Sequence, residues 1–556
     1  MNQKIENQLN LALSLTEDER KKTDDLDTGY DAVNNRWELI VKYNGDIEAV
    51  RALGATVRVL EAGYALVNIG EGDIDRLAEL PQIIYIEKPK KLFYQLDYST
   101  AVSCIEAVWE TGLSGRGTIV AVIDSGIDYA HPDFLRDDGK TRIIEIYDET
   151  TGTVYDAERI NKALGMPFGK RADIVPVADT GGHGTHVAGI AAGNGRESGG
   201  RYRGVAYRAD ILVVKLGNDE YFSSARLMEA IDYVIRKAAG LNRPVAINLS
   251  FGNNYGAHDG TTLLETYISE AALRWKTVIA AGSGNEANKR VHVSGILTNR
   301  EVMEQFVIGP FELSIDLQLW KSYSDDFFVT LRAPDGTTAG PIKGDNDVIK
   351  YRLNGTDIYV LYGEPAPYSA TQEIFIQFIG ENGYIQEGIW QIELAPVKIR
   401  NGLYDMWLPS GSFVSTETGF VTETADTTLT IPSTSANVIS VGAYDARRMK
   451  YADFSGRGYT RAPVLVKPDI VAPGVGIMSA AAGGGYSSKS GTSMATPFVT
   501  GSAALLMEWG IVNGNDPYMY GEKIKAQLIK NARPFIGEEQ PNNRTGWGAL
   551  CLRIPG

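Results

Sequence analysis

The spacing of apolar residues changes character along the chain. Between about residues 101 and 290 the apolar runs are near-continuous: TIVAVID (118–124), ILVVKLG (211–217), PVAINLSFG (244–252) and VIAAGSGN (278–285). Strands buried on both faces of a parallel sheet read this way. Between them THVAGIAAG (185–193) and SARLMEAIDYVIRKAAG (224–240) carry helical periodicity. Together they predict a doubly wound α/β domain with a parallel sheet. Upstream, WELIVKY, DIEAVRALGA, TVRVLEAGYALVNIG, DIDRLAEL and IIYIEKPKKLF follow in the order β-α-β-β-α-β, a small ferredoxin-like α+β sandwich. Ile5, Leu9, Leu13 and Leu15 predict a short amphipathic helix before it.

From about 292 to 432 the texture changes again. FELSIDLQLW, FFVTLRAPDG, VIKYRLNGTDIYVLYG, EIFIQFIG and IWQIELAPV are aromatic-rich, alternate, and are separated by Gly, Pro, Asp and Asn turns. They predict an antiparallel, jelly-roll-like β-sandwich. The buried strand NVISVGAYD (437–445) and the apolar helix TSMATPFVTGSAALLMEWG (492–510) then resume the earlier pattern. The sandwich is therefore inserted in the α/β domain, where it is expected to pack on that domain and brace it. The predicted division is 1–96, 97–291, 292–432 and 433–556, without internal repeats.

Composition narrows the function. A formal charge of −15 over 556 residues argues against nucleic acid and anionic membranes as partners. No run approaches the ~20 apolar residues of a membrane span, and the N-terminus lacks the h-region of a signal peptide. Two cysteines, Cys104 and Cys551, are too few for a disulfide framework and are expected to be free thiols.

Candidate chemistry lies where the buried strands end. TIVAVID ends in Asp124, placed to orient an imidazole or only to cap a turn. GGHGTHVAG holds His183 and His186, two of five histidines, three apart at a helix start. They read as metal ligands, as buried polar residues, or as a base. The zincin pattern would need an intervening Glu and a four-residue spacing. In SGTSMATPFVTG, Ser493 precedes the apolar helix, at an N-terminus that offers N–H groups to developing negative charge. Thr492 and Ser493 could equally be caps, and Pro497 is expected in the first turn. AAGSGNEA ends another strand at Asn285, a turn residue or an oxyanion donor.

Together AVIDSGID, GGHGTHVAG, AAGSGNEA and GTSMATP resemble the Asp, His, oxyanion-Asn and Ser motifs of the subtilisin-like serine proteases, in that family's chain order. NLSFG (248–252) and KPDIVAPG (467–474) are similar to further family segments. The resemblance implies Ser493 as nucleophile, His183 as base, Asp124 as its orienting partner, and Asn285 with the Ser493 N–H as oxyanion donors. His186 is left structural. It implies that Ser250, Phe251, Gly252, Gly282, Ser283, Gly284 and Tyr221 line the substrate.

By the same resemblance residues 1–96 are a propeptide, both chaperone and inhibitor. It is bound in the active-site cleft and self-cleaved within Tyr94, Gln95, Leu96 and Asp97. Where the family pairs substrate along Gly-x-Gly, this chain has Asp219, Glu220, Tyr221 and Phe222. GNGRESGGRYRG (193–204) departs from the family's calcium loop, although Asp133 matches a partner ligand. No cofactor is expected, and calcium is doubtful. Prodomain, insert and missing signal peptide resemble the clostridial spore germination subtilases, which activate a cortex-lytic hydrolase precursor. That implies a proenzyme substrate and a location in the bacterial spore, in the cortex or coat region. Rival readings are a non-catalytic scaffold with the prodomain retained in the cleft, and a carbohydrate-binding insert using Trp320, Tyr323 and Trp390.

Overall fold

The computed structural model describes residues 2–23, 25–94, 103–217, 221–344, 347–381, 383–411, 413–461, 465–535 and 537–555. They form two compact units, one of residues 92–252, 264–285 and 429–556, the other of 1–91, 253–263 and 286–428.

The first unit is built on a nine-stranded sheet. Six of its strands are β1 (Ile119–Asp124), β2 (Ile143–Asp148), β3 (Asp210–Lys215), β4 (Val245–Leu249), β5 (Thr277–Gly282) and β6 (Ile439–Asp445), side by side in the order β6-β5-β4-β1-β3-β2 and all parallel. Every residue of β1, β4 and β5 is buried, as the unbroken apolar runs predict for a sheet covered on both faces. Two buried helices, α1 (His183–Ala192) and α2 (Thr492–Met507), pack against each other and on the sheet. With the turn that follows it, α2 is the one helix among the described residues long and apolar enough to cross a membrane. It serves as the core helix of this unit, 78% buried.

Pro497 lies in the second turn of α2, one turn later than the sequence suggests. The cysteines also differ from expectation. Cys104 and Cys551 form a disulfide across 447 residues of sequence. Both chain ends of this unit meet there, a proximity that only the fold creates.

The second unit holds the small α+β sandwich and the insert. Strands Ile83–Glu87, Arg36–Tyr43, Tyr64–Gly70 and Thr56–Val59 lie in that order, each antiparallel to its neighbour, which is the ferredoxin-like arrangement. The insert comprises a six-stranded and a five-stranded antiparallel sheet around a shared apolar core. Trp390 belongs to that core, its Nε1 donating to the Gln386 carbonyl at 2.9 Å. Trp320 is half-buried and Tyr323 exposed. The longest departure from alternation is Thr371–Gly380, buried at all ten positions. Ile374, Ile376 and Phe378 point into the sandwich core, while Phe375 and Ile379 join Tyr359 and Leu361 beneath the N-terminal segment. There they share one cluster with Ile5 and with Leu9, Leu11 and Ala12 of the helix at Asn7–Ser14.

Candidate active site

Asp124 is the last residue of β1, between β4 and β3, at the carboxyl edge of the sheet. It is fully buried. Its Oδ1 faces His183 Nδ1 at 2.7 Å and accepts the Ser125 N–H at 2.8 Å. His183 opens α1 and is 2% exposed. Gly184 explains the glycine beside it, because a Cβ there would meet the Gly126 carbonyl at 2.2 Å. Only a bare backbone lets α1 start against the end of β1.

A second carboxylate holds that start in place. Asp179 Oδ2 accepts the Thr185 N–H at 2.7 Å and its hydroxyl at 2.5 Å, and Asp179 Oδ1 accepts from Ser125 Oγ at 2.7 Å. Sequence reasoning missed Asp179. Its signal was an Asp just ahead of a helix, the ordinary capping signature.

The two histidines of α1 face different partners. His186 Nε2 lies 3.0 Å from the Ile477 carbonyl and 3.1 Å from that of Ser487. Burial lowers its pKa to about 3, so it is a neutral donor that ties α1 to a hairpin. A shared metal finds no support in that geometry.

Ser493 is the second residue of α2, in the first turn, whose N–H groups point out of the helix. Gly491 before it has φ 147°, which an L side chain rarely adopts, and so turns the chain sharply into the helix. Ser493 Oγ donates to the Ser250 carbonyl at 3.1 Å, and Ser250 Oγ donates back to the Ser493 carbonyl at 3.1 Å. The second bond has a local cause. The helical partner of the Ser493 carbonyl would be the N–H of residue 497, which is proline and has none. Ser250 Oγ is itself held by Asn248 Nδ2 at 2.8 Å, and Asn248 Oδ1 accepts from Thr500 at 3.0 Å. Strand and helix are thereby locked in register at the serine.

Asn285 follows β5, and its Oδ1 accepts the Thr492 N–H at 3.0 Å. Anchoring the amide by its oxygen turns its nitrogen away from the Thr492 backbone. Gly282 and Gly284 fit closely here, with Gly284 N–H on Thr492 Oγ1 at 3.2 Å. Ser283 is turned aside: it is fully buried and its hydroxyl meets Ser455 Oγ at 3.3 Å.

Beside Ser250, Phe251–Gly252 pairs antiparallel with the strand ending at Tyr94, Tyr94 opposite Phe251 and Phe93 opposite Gly252. Tyr221–Ser223 flanks that strand on its other side. The Phe222 ring packs edge-on against Phe251, centroids 4.8 Å apart. A segment of the chain itself thus lies between two edges, as an extended peptide substrate would. Asp219 and Glu220 lie outside the described residues, as do Gln95, Leu96 and Asp97.

The suspected calcium partner, Asp133, is satisfied by protein. The Tyr486 hydroxyl reaches its two oxygens at 3.0 and 2.9 Å, and the Glu197 N–H reaches Oδ1 at 3.0 Å.

A buried Asp–His pair at the carboxyl edge of a parallel sheet, with a serine at the start of the helix that packs against the histidine's own, marks the subtilisin-like class of serine protease. Residues 115–304 and 412–548 match the subtilase family, and residues 3–90 match the Csp protease B prodomain. The chain belongs to the subtilase family. The solved structure of the Clostridium perfringens CspB protease is similar at 38% identity and TM-score 0.77, covering 81% of this chain and 94% of that one. The minor extracellular protease Vpr of Bacillus subtilis (strain 168) is 25% identical over 82% of the chain, and a PII-type proteinase of Lactococcus lactis subsp. cremoris 26% over 84%. The chain spans 54% and 27% of the length of those two relatives.

Proposed function

We propose that this protein is a self-processing serine endopeptidase that activates a proenzyme by limited proteolysis. The observation that carries the reading is the 2.7 Å Asp124–His183 pair on β1 and α1, together with Ser493 at the start of α2, the helix packed against α1. Ser493 Oγ would attack the scissile carbonyl while His183 takes its proton and later returns it to the leaving amine. Asp124 fixes the imidazole's tautomer and stabilises the imidazolium. Asn285 and the Ser493 N–H would hold the tetrahedral oxyanion. Ser250, Phe251 and Gly252 on one side and Tyr221 on the other would hold extended substrate, with Gly282 and Gly284 leaving room near its carbonyl. Because the chain runs antiparallel from Tyr94 toward Ser250 and Ser493, self-cleavage is expected just beyond Tyr94.

Similarity to the CspB protease supports a prodomain-bearing protease of that kind, and we extend the reading to a spore germination role, with a cortex-lytic hydrolase precursor as substrate and the spore as location. Neither calcium nor another cofactor is required in this reading.

The strand ending at Tyr94 also favours a second reading, a scaffold whose own segment permanently fills the substrate edge. Intact-mass measurement on wild type and Ser493→Ala separates the two. Cleavage shortly after Tyr94 in wild type alone, with labelling by a fluorophosphonate probe, is the expected result. An intact, unlabelled wild type would favour the scaffold.

A further inference from the structure

At the amino edge of the parallel sheet lies a cavity of about 610 Å³ lined by Arg116, Arg136, Arg142, Arg196, Arg203 and Arg208. The lining holds only two carboxylates, Asp137 and Asp210. Six guanidiniums converge in a chain whose net charge is −15. Asp210 is already divided between Arg136 at 2.7 Å and Arg243 at 2.9 Å. Arg203 and Arg208 lie over the Tyr207 ring, at 4.5 and 5.8 Å from its centroid, in place of acidic partners.

Arg142 is an independent observation. It is 5% exposed and its terminal nitrogens are taken by the carbonyls of Ala209, Asp133 and Ala192, at 2.8, 2.7 and 2.5 Å. Its buried Nε has no partner. Burial lowers the pKa of this guanidinium to about 10, with Arg136 adding to the effect against Asp210 and Asp133. This buried cation hydrogen-bonds only to carbonyls. The two carboxylates near enough to act on it are bonded elsewhere, Asp210 to Arg136 and Arg243 and Asp133 to Tyr486, so the cluster is short of anions.

We propose that this cavity binds a small multivalent oxyanion. Guanidinium forks match phosphate and carboxylate oxygens bidentately. The volume is that of a small-molecule pocket, and the negative charge of the remaining surface disfavours a long polyanion. The site is remote from the serine: Asp210 at its rim pairs with Ile119, whereas Lys215 pairs with Asp124, five residues and about 17 Å along the strand. Ligand and peptide substrate therefore do not compete.

The test is titration of the full-length protein with inorganic pyrophosphate and, separately, citrate, each against sodium chloride at matched ionic strength. Saturable binding and a rise in Tm are expected with at least one of the two and not with chloride. The stronger of the two assigns the ligand to phosphates or to polycarboxylates. Arg116→Gln combined with Arg208→Gln, both exposed, should weaken binding at least tenfold while leaving the unliganded Tm and peptide hydrolysis unchanged. Arg448→Gln, elsewhere on the surface, should bind as wild type. No saturable binding of either anion, or equal binding by the double variant, overturns the proposal.

Discussion

Pro497 removes the N–H that would close a helical turn on the Ser493 carbonyl, and the Ser250 hydroxyl replaces it. Ser250→Ala should therefore strand a buried carbonyl, at a cost of about 1–3 kcal/mol, and loosen the seat of Ser493. Pro497→Ala restores a helical donor, so the double variant should recover part of the loss. Thermal unfolding across the double-mutant cycle reads that coupling; strict additivity would refute it. Asp124→Asn makes a different point. The side chain keeps its volume but presents the wrong group to His183, so kcat should fall about 10⁴-fold with KM little changed. A fall in KM-dependent binding instead would assign Asp124 to substrate. At this scale much was legible in the sequence, since chemistry demands particular residues next to particular glycines: Asp124, His183, Asn285 and Ser493 all sit at element ends. Ser125 and the Ser250–Pro497 exchange were not, because their partners are set by packing and not by spacing, and Asp179 offered only its place ahead of a helix.

Among elements, the loop 193–204 carries the clearest prediction. Asp133, Tyr486 and Glu197 tie it down, and Glu197 Oε2 also accepts the Gly485 N–H at 3.0 Å. Protein donors thus do the holding, and treatment with a chelator should leave Tm and peptidase activity unchanged. A chelator-dependent fall in Tm would reveal a cation elsewhere. The strand Thr371–Gly380 predicts a pH dependence in the other unit. Glu373 lies buried on its outer face, 3.4 Å from Asn7 Nδ2 of the N-terminal helix. Burial raises its pKa to about 8, Glu6 and Asp316 push the same way, and Lys90 and the Asn7 contact oppose. Lys90 is committed to Glu6 at 2.7 Å and to Glu87. The folded unit therefore holds a proton that the unfolded chain releases near its ordinary value of 4.5, so stability falls as pH climbs from there to about 8 and is level beyond. Urea midpoints at pH about 6 and about 9 should differ in wild type, and the fall with pH should be smaller in Glu373→Gln. The sequence showed this strand as an alternating one. In fact EIFIQFIG is apolar at both phases, and that doubled pattern was the available sign that each face has a cover.

Across the molecule, what holds residues 1–91 is a shared core, not a covalent link. Cleavage just after Tyr94 would leave Cys104 and Cys551 on the same fragment, so their disulfide cannot retain the smaller one. Ile5, Leu9, Leu11 and Ala12 nonetheless pack in one cluster with Tyr359, Leu361, Phe375 and Ile379 of the insert. Glu19 adds polar contacts to Lys350 and to Tyr359. Nothing in the sequence marked residues so far apart as neighbours, because hydrophobic patterning shows which face is buried but not what covers it. Burial of several such side chains, each contributing about 1.5–3 kcal/mol, should keep the cleaved N-terminal fragment bound. On a native gel the two fragments of processed protein are expected to migrate together. Leu9→Ala, which opens a cavity in the shared cluster at about 2–5 kcal/mol, should lower the temperature at which they separate while the Asp124–His183 pair is untouched. Fragments that part immediately after cleavage in the wild type would show that the shared core forms only while the chain is whole.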